Sequence, residues 1–175
     1  MSTENLIQNF MEERSPERVE IGTGAVIKQG NDFLFVLSKE KYWEKKNGVT
    51  NLSFQNVGGA VEEGETPVEA LKREAKEEID TKIKIENSNK TIVTNPEIDY
   101  DSNQNSPLMI YTEENPGKPG QPEVEGTWTL LGFLYQAKTI DKLKPSSEVP
   151  ATIKIPEKLF LKSEDGLTRE QIEQN

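Results

Sequence analysis

The sequence contains neither cysteine nor histidine. Without cysteine there is no disulfide framework, no thiolate nucleophile and no cysteine-based zinc site. Without histidine the chain lacks the commonest general base and the commonest ligand of transition metals. Acid–base chemistry and metal binding must therefore depend mainly on carboxylates, whose hard oxygens favour Mg²⁺ or Mn²⁺.

Long apolar stretches are also missing. Hydrophobic residues make up 33% of the chain, and no run of them approaches the roughly 20 residues that a membrane-spanning helix needs. The N-terminal stretch carries Glu4, Glu12 and Glu13 and lacks the apolar core of a signal peptide. We therefore expect a cytoplasmic protein that does not enter a membrane.

Positive charge is scarce: 21 Lys and Arg stand against 31 Asp and Glu, for a formal net charge of −10. This excess of negative charge disfavours nonspecific binding to nucleic acid or to an anionic membrane, so a metal cation is the more natural partner. A chain of 175 residues fits one ordinary domain. We predict a domain at 19–162, an N-terminal extension at 1–18 and a polar C-terminal tail at 163–175.

Hydrophobic periodicity and turn signals predict a chain in which strands predominate. The predicted elements are an amphipathic helix around 6–11, strands at 19–28, 33–37, 52–54, 108–111 and 127–138, an interrupted strand at 82–93, and a short helix or turn near Leu159. A frayed tail is an equally good interpretation of the first segment. The stretch 95–126 is otherwise loop-rich, and long loops of this kind are commonly functional or disordered.

The best-defined helix begins after Thr66 and ends at about Ile79. Thr66 is a suitable N-cap, and Pro67 suits the first helical position. At about 100° per residue, the apolar side chains form one narrow stripe. Its members are Val68, Leu71, Ala75 and Ile79. The helix is therefore expected to pack along this stripe.

Three acids, Glu74, Glu77 and Glu78, project from the flank of that stripe. Like charges at i, i+3 and i+4 weaken a helix by roughly a few tenths of a kcal/mol per pair. A divalent cation bound by the convergent carboxylates would remove this repulsion. A solvated acidic face is the plain alternative, because Glu is abundant in this chain and a strong helix former.

Between Gly59 and Thr81 these residues belong to a longer pattern. A glycine is followed after five residues by Glu, after seven more by Arg-Glu, and after a further two by Glu-Glu. The positions are Gly59, Glu65, Arg73, Glu74, Glu77 and Glu78. This spacing resembles the Nudix box, which continues with any residue, a glycine and an apolar residue.

The resemblance implies a Nudix-type α/β/α sandwich with a mixed β-sheet and an enzyme that hydrolyses pyrophosphate bonds with Mg²⁺ or Mn²⁺. It assigns the metal ions to the carboxylates of Glu74, Glu77 and Glu78. The carbonyl of Gly58 or Gly59 would complete the coordination. These roles come from the family pattern and not from composition or spacing.

The same resemblance gives Arg73 and Glu65 the task of supporting the loop and orienting the acids. The guanidinium fork of Arg73 suits a bidentate carboxylate partner. Glu74 is our first choice of general base, since the chain has no histidine. The other candidates lie outside the motif: Glu123, Glu125 and Glu148.

Two residues depart from the family pattern. Asp80 stands where a glycine is usual, and Thr81 where an apolar residue is usual. Asp enters the left-handed helical region at modest cost, so Asp80 can still end the helix. The acids lie before this position, and we expect activity to survive the change.

Aromatic side chains are candidates for stacking on a nucleobase, a contact worth roughly 1–3 kcal/mol in nucleic-acid binders. The substrate-binding candidates are Trp43, Tyr100, Tyr111 and Glu125, with Tyr42 and Trp128 as further aromatic residues. The alternative for each aromatic residue is that it belongs to the core or to the surface and does not contact a ligand.

The expected substrate is a nucleoside diphosphate linked to another moiety: a nucleoside triphosphate, a nucleotide sugar, ADP-ribose or a dinucleoside polyphosphate. The motif specifies the reaction and not the substrate. We expect the loop-rich stretch 95–126 to control substrate choice. Two alternatives are a non-catalytic Nudix-fold nucleotide-binding or regulatory module, and an interaction domain with an incidental acidic helix. The sequence does not determine the oligomeric state, and it is compatible with a homodimer.

Overall fold

Strands account for most of the described chain, as its β-branched and aromatic runs predict. The structure, a computed structural model, describes residues 2–15, 18–100, 106–115, 128–143 and 146–160. The helices are α1 (Thr3–Glu13), α2 (Pro67–Ile79) and α3 (Glu157–Phe160), with a 3-10 turn at Glu40–Tyr42. The strands are β1 (Arg18–Gln29), β2 (Asp32–Leu37), β3 (Glu44–Lys46), β4 (Val49–Asn51), β5 (Phe54–Gln55), β6 (Val57–Ala60), β7 (Ile83–Glu86), β8 (Ile92–Val93), β9 (Met109–Asn115), β10 (Trp128–Thr139) and β11 (Thr152–Pro156).

One large mixed sheet contains nine of these strands. Its order is β11-β2-β1-β10-β9-β8, while β5 pairs with β2, β6 with β1 and β7 with β10. The central pair, β1 and β10, is parallel, as is β8 with β9, and the other pairs are antiparallel. This mixed sheet, with few helices, confirms the predicted α/β fold class.

The two long central strands each change partner along their length. Residues 22–25 of β1 pair with β6 and residues 27–29 pair with β2, while residues 128–134 of β10 pair with β9 and residues 136–139 with β7. Because α2 connects β6 to β7, it runs from a partner of β1 to a partner of β10. The helix is therefore fixed at both ends to the centre of the sheet.

The core lies between the sheet and the apolar stripes of α1 and α2. In α2, Leu71, Ala75 and Ile79 are fully buried and Val68 is partly buried, so the predicted stripe is confirmed. Burial of a side chain such as Leu71 or Ile79 stabilises the fold by roughly 1.5–3 kcal/mol. This packing sets the rotation of α2 and hence the direction in which its acids point.

The N-terminal helix is part of this packing. Leu6 and Phe10 of α1 are buried in the same core cluster as α2, whereas Met11 is exposed. The amphipathic interpretation of the first segment is thus confirmed for 3–13. No helix in the described ranges is long and apolar enough to cross a membrane.

Several elements differ from the sequence-based predictions. The strands β3 and β4 form an exposed hairpin around the turn at Asn47 and Gly48, and β11 joins the sheet beside β2. The strand predicted at 108–111 extends to Asn115, because it pairs along β10 over seven positions. The interrupted strand at 82–93 is two strands with different partners, β7 on β10 and β8 on β9.

Candidate functional site

Reciprocal hydrogen bonds fix the start of α2. The Thr66 hydroxyl accepts from the Glu69 backbone N–H at 3.2 Å, and the Glu69 carboxylate accepts from the Thr66 N–H at 2.9 Å. Pro67 is the first helical residue, so the predicted helix start is confirmed. At the other end, Asp80 has φ 42° and ψ 43°. It therefore ends the helix in the left-handed region, as predicted.

Two glycines bring the backbone of β6 against this helix. Gly58 and Gly59 pair with Gly24 and Thr23 of β1. Gly58 has a φ of 152°, and a Cβ there would lie 2.1 Å from the Thr23 carbonyl oxygen. A Cβ on Gly59 would lie 2.4 Å from Oε1 of Glu74. A larger residue at Gly58 would clash with the backbone of β1, and one at Gly59 would displace the Glu74 carboxylate, which the bare backbone allows to reach the strand.

Arg73 joins the helix to the loop that precedes it. Its Nε and Nη2 donate to the two carboxylate oxygens of Glu65 at 2.9 and 3.1 Å, and Nη2 also donates to the Ala60 carbonyl at 2.9 Å. The hydrogen bond with Glu65, opposed by burial and aided by Glu74, raises the pKa of Arg73. The same hydrogen bond lowers the pKa of Glu65. The structure therefore shows a bidentate pair between these two residues.

The three acids of the helix do not share one orientation. Arg73 Nη1 donates to Glu74 Oε1 at 2.8 Å and to Glu77 Oε2 at 3.1 Å, whereas Glu78 Oε2 accepts from the Gly58 N–H at 3.0 Å. Within the described residues, no three carboxylates converge into a ready metal site. This differs from the expected convergence. The acids repel one another, so two of them turn to the nearest guanidinium and the third to a backbone N–H.

Glu78 is the most buried of these acids, with only 8% of its surface exposed. Burial raises its pKa to about 7, and the charges of Glu74 and Glu77 add to the shift. The Gly58 hydrogen bond and the charge of Lys39 act in the opposite direction. Near neutral pH this carboxyl group is therefore partly protonated, since its surroundings disfavour the charged form.

A segment after β10 returns to the C-terminal half of α2. The Ser146 hydroxyl donates to the Glu77 carbonyl and accepts from the Glu148 N–H at 3.0 Å. Glu148 then forms an exposed ion pair with Lys39, 3.4 Å between Oε2 and Nζ. The structure thus brings this candidate base near the end of the helix. Glu123 and Glu125, the other candidates outside the motif, lie outside the described residues.

Three of the described aromatic candidates have contacts within the protein. Trp43 Nε1 donates to the Ser38 carbonyl at 2.8 Å. The Tyr100 hydroxyl lies 3.5 Å from the hydroxyl of Thr3 in α1. Tyr111 lies against Gly132, where a Cβ would be 2.3 Å from its ring. Their roles in substrate binding stay predictions.

One buried polar residue beside the acids was missed by the sequence analysis. Thr23 is only 7% exposed, and its Oγ1 has no hydrogen-bond partner in the described part of the chain. It occupies a core-facing position of β1, in alternation with Ala25 and Ile27, which are both fully buried. A polar residue at an apolar position of the period-2 pattern is the sequence signal that could have identified it.

The comparisons with known proteins agree with this geometry. The family model described as NUDIX domain matches residues 19–145. A NUDIX hydrolase from Nitrosomonas europaea has a similar structure, with 17% identity, a TM-score of 0.53, and coverage of 90% of this chain and 85% of that one. The MutT protein from Methanosarcina mazei Go1 shares 14% identity at a TM-score of 0.52, covering 91% and 94% of the two chains. No curated protein matched the chain.

The chain belongs to the Nudix hydrolase family, because the family model spans most of its length. The motif at 59–81 lies inside the matched range. The solved structures, both below 25% identity, support the fold alone. The predicted membership of this enzyme family is therefore confirmed, while the substrate and the metal are separate questions.

Proposed function

We propose that this protein hydrolyses a pyrophosphate bond in a nucleoside diphosphate linked to another moiety, with the help of Mg²⁺ or Mn²⁺. The observation that carries the proposal is the cluster on α2. Glu74 and Glu77 share the guanidinium of Arg73, the Glu74 carboxylate lies against Gly59 of β6, and Glu78 accepts from the Gly58 N–H. An incidental acidic face would need neither the bare Gly59 backbone beside the Glu74 carboxylate nor the burial of Glu78.

The residues present fit a divalent cation in their chemistry. All three side chains offer carboxylate oxygens, which hard cations prefer. Glu78 is buried with a raised pKa, and Glu74 and Glu77 share a single guanidinium group. Together they carry more negative charge than Arg73 neutralises. When bound, a divalent cation supplies Lewis acidity and neutralises charge on the phosphate oxygens.

The remaining roles in the reaction belong to residues of the protein. Glu74 accepts the proton of the attacking water and is our choice of base, because the chain has no histidine. Arg73 and Glu65 keep α2 in position against the loop that precedes it. Substrate choice lies outside the motif, and the stretch 95–126 is our candidate for it. We also propose a cytoplasmic protein that binds a small nucleotide-type substrate.

A substrate panel tests the proposal directly. The purified protein is incubated with Mg²⁺ and nucleoside triphosphates, nucleotide sugars, ADP-ribose and dinucleoside polyphosphates, and the products are separated by ion-exchange chromatography. We expect phosphate-bearing products from at least one class, and none when EDTA replaces Mg²⁺. Undiminished hydrolysis in EDTA would refute the role of the cation.

Binding measurements with the same compounds distinguish the proposed hydrolase from the two alternatives. A non-catalytic nucleotide-binding module would bind one of these compounds tightly in calorimetry and release no product. An interaction domain with an incidental acidic helix would bind neither nucleotide nor Mn²⁺. Either result would contradict the proposal.

A further inference from the structure

Thr23 combines two properties that rarely occur together. Its side chain is more than nine-tenths buried, and its hydroxyl oxygen has no hydrogen-bond partner within the described residues. Buried hydroxyls are normally satisfied, so each exception calls for a physical reason. Valine replaces the hydroxyl with a methyl group and would avoid the unsatisfied group. The position is therefore one where stability alone favours a different residue.

The register of the sheet relates Thr23 to the acidic site. Thr23 of β1 is directly paired with Gly59 of β6 in an antiparallel ladder. Side chains at paired positions project from the same face, with their Cβ atoms roughly 5 Å apart. The place that a Gly59 side chain would occupy is filled by the Glu74 carboxylate, with Oε1 at 2.4 Å and Oε2 at 3.1 Å from the ideal Cβ. The unpartnered hydroxyl and the Glu74 carboxylate thus share one face at one paired position.

The hydrogen bonds of Glu74 leave room for a second donor. Its Oε1 accepts from Arg73 Nη1 at 2.8 Å. That oxygen cannot serve a cation and the guanidinium equally well, because both compete for the same negative charge. If Glu74 turned from Arg73 to hold a cation, its carboxylate would lose a donor that fixes its orientation. A neutral hydroxyl beside it replaces that donor without competing for the charge.

We propose that Thr23 is a positioning residue of the acidic site, whose hydroxyl donates a hydrogen bond to the Glu74 carboxylate when that carboxylate binds a divalent cation. This inference rests on the proposed function, because it needs Glu74 to be a cation ligand. The hydroxyl is unsatisfied in the arrangement with Arg73 and satisfied in the cation-bound arrangement. Hydrogen bonds to a ligating carboxylate orient it and typically change metal affinity by about 10- to 100-fold.

The test uses the full chain with Thr23→Val, Thr23→Ser and the contrasting variant Thr81→Val. Thr81 is also buried, but its hydroxyl donates to the Asp141 carbonyl at 3.2 Å. Two quantities are measured: the melting temperature in EDTA, and the affinity for Mn²⁺ alone from the electron paramagnetic resonance signal of free Mn²⁺. Thr23→Ala takes the place of the valine variant if that protein does not fold.

We expect Thr23→Val to melt as high as the wild type or about 2–4 °C higher, whereas Thr81→Val melts lower because it loses a satisfied hydrogen bond. The same Thr23 variant should bind Mn²⁺ about 10-fold more weakly, and Thr23→Ser should restore most of the affinity. If Thr23 had only a structural role, its substitution would not weaken Mn²⁺ binding while leaving the melting temperature unchanged or higher.

Each other outcome has a definite meaning. If the wild type binds Mn²⁺ and hydrolyses a substrate while Thr23→Val binds Mn²⁺ equally well, the role of Thr23 is refuted and the proposed function stands. If Thr23→Val is destabilised as much as Thr81→Val, the hydroxyl is structural and the inference also fails. If the wild type binds no Mn²⁺, both the inference and the proposed cation site are wrong.

Discussion

Glu78 is the acid most strongly affected by its surroundings. Burial and two neighbouring carboxylates raise its pKa to about 7 from an ordinary value of 4.5. The folded protein therefore holds a proton at this position over a pH range in which the unfolded chain has lost it. The contribution of this group to folding stability therefore falls as the pH rises through this range, because the folded state then has to accommodate a buried charge.

This linkage predicts a pH-dependent effect of Glu78→Gln on stability without metal. Between about pH 4.5 and pH 7 the wild type should lose up to roughly 3 kcal/mol through this group, a loss that the uncharged glutamine side chain cannot show. The variant should gain stability over the wild type more at about pH 8 than at about pH 5. Urea unfolding in EDTA at both pH values measures the difference in free energy of unfolding between the variant and the wild type. An equal difference at both pH values would contradict the raised pKa of Glu78.

Individual residues of the motif were predictable where their role depends on local sequence. Thr66, Pro67 and Asp80 act through the backbone of the same helix, so spacing alone identified them. The orientation of each carboxylate was not predictable in this way. It depends on whether an arginine, a backbone N–H or a cation is nearest in space. Thr23 was missed because its importance depends on a strand register.

At the scale of elements, the C-terminal end of α2 is the clearest departure from the family pattern. Asp80 adopts φ 42° where the family has glycine, and it forms an ion pair with Lys76. We predict that Asp80→Ala lowers the free energy of unfolding by roughly 1 kcal/mol relative to Asp80→Gly. Both variants lose the ion pair, so their difference isolates the left-handed backbone. Urea midpoints that coincide would refute this explanation.

The connection between β9 and β10 offers a second test. Pairing of Asn115 with Trp128 fixes the two strand ends, so the intervening segment 116–127 can be shortened to a tight glycine-containing turn. We predict that this change alters relative hydrolysis rates on the substrate panel, while the requirement for Mg²⁺ stays. Melting temperature and circular dichroism control for folding. Unchanged relative rates in a folded protein would rule out a role in substrate choice.

Elements with a strong local pattern were predicted well. The hairpin of β1 and β2, the long strand β10 and both ends of α2 follow from periodicity and turn residues. The strands β3, β4 and β11 were missed. β3 and β4 are three-residue exposed strands that pair with each other across a short turn and lack a buried face, whereas β11 pairs with β2, far back along the chain. Strand pairing of this kind depends on tertiary context more than on propensity.

At the scale of the whole molecule, the topology explains why the acids meet a glycine pair. The parallel pair of β1 and β10 needs connections that cross the sheet, and α2 joins a partner of one strand to a partner of the other. The fold class was predictable from the motif, since the motif identifies the family. The strand order was not, because the sequence contains no signal for which distant strands pair.

Part of the negative charge of the protein is concentrated where it affects stability. The chain carries a formal charge of −10 and places three acids on one helix flank, two of which share a single arginine. Such clustering lowers the stability of the metal-free protein, since like charges repel at i, i+3 and i+4. A functional role for the acids therefore predicts that stability and activity respond in opposite directions when one of them is neutralised.

The most direct measurement compares Glu78→Gln with Glu69→Gln for hydrolysis rate at saturating Mg²⁺ and for melting temperature in EDTA. The glutamine side chain in place of Glu78 can still accept from the Gly58 N–H, so we predict a rate at least about 10²-fold lower, with melting unchanged or higher. Glu69 caps the helix through Thr66; glutamine can keep these hydrogen bonds but loses the negative charge that the helix N-terminus favours, so this variant should melt the same or slightly lower and keep near-native turnover. Near-native turnover by Glu78→Gln, or an equal loss in Glu69→Gln, would contradict the assignment of the acidic helix to catalysis.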